Sequence, residues 1–469
     1  MLSSEQIDSE ILIPIYKEIK NGVNQCAEES LPYSNLMGLV FHEAMYFNSC
    51  FVYEKIWYNR ESNIEYPFLG YRKNKFSSEI NHYVSKKRNF ASMLSNLVNK
   101  NKFTIGLLNP SINFFELSKM LFREKINFCF PKSSSIKISN FSNQIQIIED
   151  IFSTIWKNFE LGDKYLQFIK AIKSYNEITS KHDEINSYDL LITGSPVKMP
   201  IRAEAAYALS KNIPTICVDH GSETGTADHP SWGYDEQSYC SHFLGYGSYG
   251  KKAIENGNNL KSIYEKSPEY FDSNSSFIQE NYKSEKVEKL PKNLQNYKIA
   301  YIPTKLMGSE RLGPYLSIKD EDYTNWQKHL FKSIKNLEYK AHPKQKIEIG
   351  LSNIKIVFEP LEACLSRYDC FITDNVLSTA FTNIAATNKP IIYFNIGFGN
   401  LTREAEESIK ERVVWININL NDYGDILNKI KSKSSKECIN TYSRKFCLSN
   451  NLATRENSLI KIIKEIKDN

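Results

Sequence analysis

The stretch that decides the fold is Tyr188-Asp189-Leu190-Leu191-Ile192-Thr193, then Gly194-Ser195-Pro196, Arg202 to Lys211, Asn212, and Ile213-Pro214-Thr215-Ile216-Cys217-Val218. An apolar run of strand length ends in a tight turn. An Ala-rich helical segment follows, closed by a helix-ending Asn, and a second apolar run begins at once. Strand, helix and strand with short connections form a βαβ unit, which implies a parallel sheet.

The same rhythm extends in both directions. Phe103–Leu108 reads as a buried strand, and Ser111–Phe122 has helical spacing through Phe114, Leu117, Met120 and Leu121. Ile126–Phe130 reads as the next strand, and 141–180 as amphipathic helix. A strand at Ser241–Leu244 and a helix at Ser248–Asn256 follow. Residues 257–296 turn polar and are rich in Asn, Ser, Lys and Glu, the composition of a linker. After them the rhythm restarts. Strands are expected at Tyr297–Pro303, Leu337–Ala341, Ile354–Phe358, Cys370–Thr373, Pro390–Asn395 and Val413–Ile418. Helices are expected at Asp320–Lys335, Leu361–Arg367, Ser378–Thr387, Tyr423–Lys433 and Thr454–Lys467. The first hundred residues offer only a helix at Glu10–Lys20 and an aromatic-rich stretch at Phe41–Tyr58.

The expected class is therefore α/β, with two Rossmann-like doubly wound domains facing across a cleft. The divisions are 1–275, a linker at 276–296, 297–450, and a terminal helix at 451–469 that packs back on the first domain. In such sheets ligands bind beyond the carboxyl ends of the strands.

Composition narrows the function classes. Lys plus Arg is 59 and Asp plus Glu is 54 in 469 residues, a net charge of only +5, which argues against a nucleic-acid partner. The nine cysteines are odd in number and form no CxxC pair, so they read as free thiols in a reducing compartment rather than a zinc site or disulfide frame. Met1-Leu2-Ser3-Ser4-Glu5-Gln6 lacks the basic and apolar regions of a signal peptide, and no apolar run nears the ~18 residues that span a bilayer. The expectation is a soluble cytoplasmic protein. Lysines scattered along its helices allow peripheral contact with anionic lipid at the inner membrane, against the simpler reading of a solvated basic surface.

Four strand ends carry polar groups. Val218 leads into Asp219-His220-Gly221-Ser222-Glu223, where two carboxylates and an imidazole lie within five residues. Any of Asp219, His220 or Glu223 could take a proton from an attacking hydroxyl, and the alternative is a capped turn with Asp219 on backbone amides. The second strand end is Lys340-Ala341-His342-Pro343, where alternation places Lys340 and His342 on one side to meet a phosphate. Thr373 leads to Ser378-Thr379 at a helix opening, either an anion site or a plain N-cap. Pro303 leads to Thr304-Lys305, which could line the cleft or sit in a solvated loop.

Other motifs fail. There is no P-loop, no GxGxxG after a strand, no GxSxG and no HExxH. Asp320-Glu321-Asp322 matches a DxD pattern but stands where a helix dipole favours acids, so no metal site is expected.

Two Rossmann-like domains with Lys340-Ala341-His342-Pro343 at a strand end and Ser378-Thr379 opening a helix resemble the GT-B glycosyltransferases of bacterial surface-polysaccharide assembly. The His-Pro element is similar to that of the sialyl- and Kdo-transferases, where it contacts the phosphate of a CMP-sugar. Asp219-His220-Gly221 is similar to their acceptor-domain element, although two acids stand before Gly in the sialyltransferases. The likeness covers about 190–225 and 297–400. It implies a metal-independent, cofactor-free transferase that moves a nonulosonic acid or Kdo-like sugar from a CMP-activated donor to a lipopolysaccharide- or capsule-type acceptor, either a glycan or a lipid-linked one. Thr304, Lys305, Lys340, His342, Pro343, Ser378 and Thr379 would hold the donor, with Gly221, Ser222 and Ser195 on the acceptor side. CDP-glycerol-type polyol-phosphate transferases, nucleotide-sugar 2-epimerases and an inactive assembly scaffold are the competing readings.

Overall fold

Each apolar run bounded by turn residues becomes one strand of a parallel sheet. The computed structural model describes residues 103–108, 114–131, 141–179, 188–194, 196, 199–219, 221, 225–228, 236–251, 268–274, 276–290, 293–304, 318, 320–342, 354–399, 401–449 and 454–468, with scattered positions between 8 and 55. The first unit contains β1 (Thr104–Leu108), α1 (Phe114–Arg123), β2 (Asn127–Cys129), α2 (Phe141–Asn158), α3 (Tyr165–Thr179), β3 (Leu190–Thr193), α4 (Met199–Ser210), β4 (Thr215–Val218), β5 (His242–Tyr246) and β6 (Glu269–Ser273). Its six strands pair in the order β2-β1-β3-β4-β5-β6, all parallel. Asn212 closes α4 at φ 56°, and the Ile213 N–H reaches back to the Ala208 carbonyl at 2.8 Å.

A short helix, α5 (Ser276–Asn281), stands in the stretch read as linker and buries Ile278 in the core of the second unit. That unit holds β7 (Ile299–Ile302), α6 (Asp320–Ser333), β8 (Leu337–Lys340), β9 (Ile356–Val357), α7 (Leu361–Cys364), β10 (Cys370–Thr373), α8 (Thr379–Ala385), β11 (Ile391–Asn395), α9 (Arg403–Arg412), β12 (Val414–Asn417) and α10 (Ile426–Lys433). Read from β9, the sheet runs β9-β8-β7-β10-β11-β12, all parallel. This is the doubly wound 3-2-1-4-5-6 order, in which direction reverses between the first and fourth strands. Here that reversal falls between β7 and β10. In the first sheet it falls between β1 and β3.

The chain then crosses back. The π-helical turn Ser443–Cys447 lies against the end of β5, where Tyr249 N–H donates to the Lys445 carbonyl at 3.0 Å. Gly247 is obligatory there: its φ is 63°, and a Cβ would meet the Phe446 carbonyl carbon at 2.5 Å. α11 (Arg455–Asp468) finally buries Leu459, Ile460, Ile462 and Ile463 against Ile105, Leu117 and Leu244 of the first unit. At roughly 1.5–3 kcal/mol for each aliphatic side chain taken from water, that contact is strong enough to tie the two units together. Among the first hundred residues, Phe47 and Phe51 are buried against Trp156 of α2, with ring centroids 5.4 and 4.9 Å away.

Candidate functional site

Parallel strands end on a common edge, so the polar residues after β8, β7 and β10 stand along one rim of the second sheet, which contains its reversal point. Ile302 pairs with Thr373 and Tyr301 with Tyr339, which sets the three strand ends level. Thr304 follows β7, Lys340 and His342 end β8, and Ser378-Thr379 follow β10. The expected donor residues that the structure describes are therefore brought to one rim. Lys305 and Pro343 lie outside the described residues.

The details refine their chemistry. Lys340 is buried, and its ammonium donates to the Ala341 carbonyl at 2.9 Å. Burial pushes its pKa below the ordinary lysine value, against the opposing pull of Cys364, Glu362 and Glu359. Glu362 also accepts from Asn383 Nδ2 at 2.7 Å, which ties α7 to α8. His342 is half-buried two residues past the end of β8. Ser378 is the N-cap of α8: its hydroxyl accepts from the Phe381 N–H at 3.1 Å, and Thr379 is exposed beside it. The loop between is stiffened by Thr373 Oγ1, which donates to the Ile302 carbonyl at 2.9 Å, and by Asn375 Oδ1, which accepts from the Leu377 N–H at 2.9 Å.

The sequence reading missed the residue at the reversal point itself. Asp374 is fully buried immediately after β10. Its carboxylate accepts from Tyr323 Oη at 3.0 Å, from Trp326 Nε1 at 3.1 Å and from Tyr301 Oη. Tyr323 Oη in turn accepts the Thr304 N–H at 3.1 Å, so one hydrogen-bonded chain joins β10, α6 and the end of β7. Burial raises the Asp374 carboxyl from 3.8 to about 7, although the three donors pull the other way. The signal available in sequence was Tyr323 and Trp326 at helical spacing on one face, together with an acid directly after a strand. Asp320, Glu321 and Asp322 form the first turn of α6, where they complement the helix dipole.

In the first unit, Asp219 follows β4, one strand away from the reversal point. It is buried, and its Oδ1 accepts the Gly221 N–H at 2.9 Å. The carboxylate thus closes a turn through Oδ1. Arg455 of α11 donates to the Asp219 carbonyl and stacks over the Tyr246 ring at 4.1 Å, bracing the turn from behind. Gly221 is buried in this turn, whereas His220, Ser222, Glu223 and Ser195 lie outside the described residues.

The rims of the two sheets meet. Thr402 Oγ1 donates to the Gly225 carbonyl at 2.7 Å and Thr402 N–H to the Thr226 carbonyl at 3.0 Å, while Ala227 bridges Leu401. The loop after β4 therefore touches the loop after β11, so the carboxyl ends of both sheets lie toward the junction between the units.

No family model and no curated protein matches the chain. Solved structures similar to it include LpCGTa in complex with UDP, at 10% identity and a TM-score of 0.38, over 78% of this chain and 99% of that one. Phytolacca americana UGT2 complexed with UDP-2fluoro-glucose and pterostilbene is 10% identical with a TM-score of 0.35, over 81% and 96%. Spinosyn rhamnosyltransferase SpnG complexed with thymidine diphosphate is 9% identical with a TM-score of 0.31, over 78% and 96%. The fold assignment rests on the two sheet orders and not on these likenesses. Among the described residues, no helix is long and apolar enough to cross a membrane.

Proposed function

We propose that the chain is a GT-B glycosyltransferase that holds a nucleotide-activated sugar on the β8-β7-β10 rim and an acceptor glycan on the first unit. The observation that carries this reading is the meeting of two doubly wound parallel sheets at their carboxyl edges, with a cationic residue, an imidazole and hydroxyls along the rim that contains the reversal point. Ligands of such sheets sit at that crevice. His342 and Thr304, with the opening of α8 at Ser378 and Thr379, offer donors to a departing phosphate. Lys340 lends positive charge from behind. Preorganised donors of this kind stabilise developing charge without reorganising during the reaction. Lys305 and Pro343 complete the donor-side set of this reading, Asp219, His220 or Glu223 supplies the base, and Gly221, Ser222 and Ser195 serve the acceptor.

The finer reading is a CMP-activated nonulosonic acid or Kdo-like donor and a lipopolysaccharide- or capsule-type acceptor, met at the cytoplasmic face of the inner membrane when lipid-linked. A thermal-shift panel of CMP, CDP, UDP, TDP and GDP tests it. A nucleotide present at about 100 times its Kd adds about 2.7 kcal/mol of stability. Stabilisation by CMP alone supports the finer reading. CDP acting alone moves the donor to the polyol-phosphate class, and UDP or TDP alone overturns the CMP assignment. Silence of all five nucleotides sinks the transferase.

A further inference from the structure

At the opposite edge of the second sheet, where β7, β8 and β9 begin, an open pocket of about 880 Å³ is lined by Lys298, Lys328, Lys332, Lys335, Lys355 and Glu338, among others. These lysines come from separate places in the chain. Lys328 and Lys332 stand one turn apart on α6, Lys335 is in the turn that leads to β8, Lys298 precedes β7, and Lys355 precedes β9. Glu338 is the one carboxylate in the lining, and it is already engaged: Lys355 Nζ approaches it at 2.5 Å and Tyr368 Oη donates to it at 2.9 Å. Five lysines less one glutamate leave a formal +4 in this pocket, against +5 for the whole chain. Among the described residues, no carboxylate pairs with Lys298, Lys328, Lys332 or Lys335.

Like charges one helical turn apart destabilise a helix by a few tenths of a kcal/mol. A counter-ion with several negative groups would relieve that repulsion at each lysine together. Lysine serves phosphate as a compact point charge and needs no fixed fork geometry, so five flexible stems can close on clustered phosphates. The concave shape favours a discrete ligand that enters the depression over a flat bilayer that would rest across its mouth. We propose that this pocket binds a soluble polyanion carrying two or more phosphate groups, at a site separate from the β8-β7-β10 rim. Failure of the transferase reading would leave this pocket unaffected.

The test uses the full chain and inorganic tripolyphosphate in titration calorimetry at low ionic strength. Saturable binding is expected, weakened about tenfold in the Lys328→Gln/Lys332→Gln/Lys335→Gln variant if each lost charge contributes about 0.5 kcal/mol. The urea midpoint of that variant should lie at or slightly above that of wild type, because all three side chains are exposed and the repulsion between Lys328 and Lys332 is relieved. Lys355→Gln, which removes an already paired charge, should weaken binding less than the triple change. Lys431→Gln/Lys433→Gln, exposed on α10, should leave it unaltered. Absence of saturable binding, or an equal loss in the α10 variant, overturns the proposal. So does lysine-dependent binding to phosphatidylglycerol vesicles with none to tripolyphosphate, which would mark the patch as a membrane contact.

Discussion

Replacing Asp374 with Asn should change how stability depends on pH more than it changes stability itself. The carboxyl is fully buried, and burial lifts it from 3.8 to about 7 against the pull of Tyr301, Tyr323 and Trp326. Between those values the folded protein holds a proton that the unfolded chain has already released. The stability contributed by this group is therefore greatest below about pH 4, falls as pH rises through the window, and levels off above about 7. At about 1.4 kcal/mol for each tenfold change in proton affinity, the fall amounts to about 4 kcal/mol. Asn carries no such proton. Its amide oxygen can still accept from Tyr301 and Trp326, and its NH2 can donate to Tyr323, so the loss of hydrogen bonding is small. Asp374→Asn should therefore lie near or slightly below wild type at pH 4.5 and gain about 3 kcal/mol relative to it by pH 8, the first ~1 kcal/mol of the fall having already occurred below pH 4.5. Urea unfolding across that range reads the difference directly, provided the slope m is the same for both proteins. An offset that stays constant within about 1 kcal/mol from pH 4.5 to 8 would refute the reasoning, because it would mean that Asp374 titrates alike in the folded and unfolded chains.

Arg412 is fully buried and donates to the carbonyl of Ala385, the last residue of α8, and to those of Thr387 and Lys389 just past it, so Arg412→Met should cost about 3 kcal/mol in urea unfolding. Asn48→Ala strands the Trp156 indole N–H, now 2.7 Å from Asn48 Oδ1 in a buried site, and should cost about 1–3 kcal/mol by the same measurement. Lys340 loses its charge at lower pH than an ordinary lysine, because burial disfavours the ammonium. Nucleotide affinity should therefore weaken as pH rises through that lowered pKa, and Lys340→Gln should bind more weakly with that alkaline limb absent, as read by calorimetry.

The strands were legible because a parallel sheet asks for short apolar runs, and Cys370–Thr373 shows this without error at either end. β6, Glu-Tyr-Phe-Asp-Ser, escaped because it is an edge strand whose first four residues stay partly or wholly exposed, and its polar composition reads as linker. α9, Arg-Glu-Ala-Glu-Glu-Ser-Ile-Lys-Glu-Arg, escaped for a related reason: Ala405 and Ile409 are its only buried apolar residues. Arg412 at its end reads as solvated until the carbonyls past α8 come into view. Strand-end positions could be read for the candidate site, since alternation and chain order place Lys340, His342 and Thr304 on one rim. Convergence of side chains could not. Tyr301, Tyr323 and Trp326 stand 73, 51 and 48 residues from Asp374, and no local pattern joins them. The aromatic wealth of 41–58 was visible, but its partner, Trp156, lies about a hundred residues on.

Hydrogen–deuterium exchange with and without the stabilising nucleotide locates the donor. The account predicts slower exchange confined to 302–304, 340–342 and the α8 opening at 374–380. Protection centred instead on the first sheet at 106–108 and 191–194, with the second unit unaltered, would contradict it.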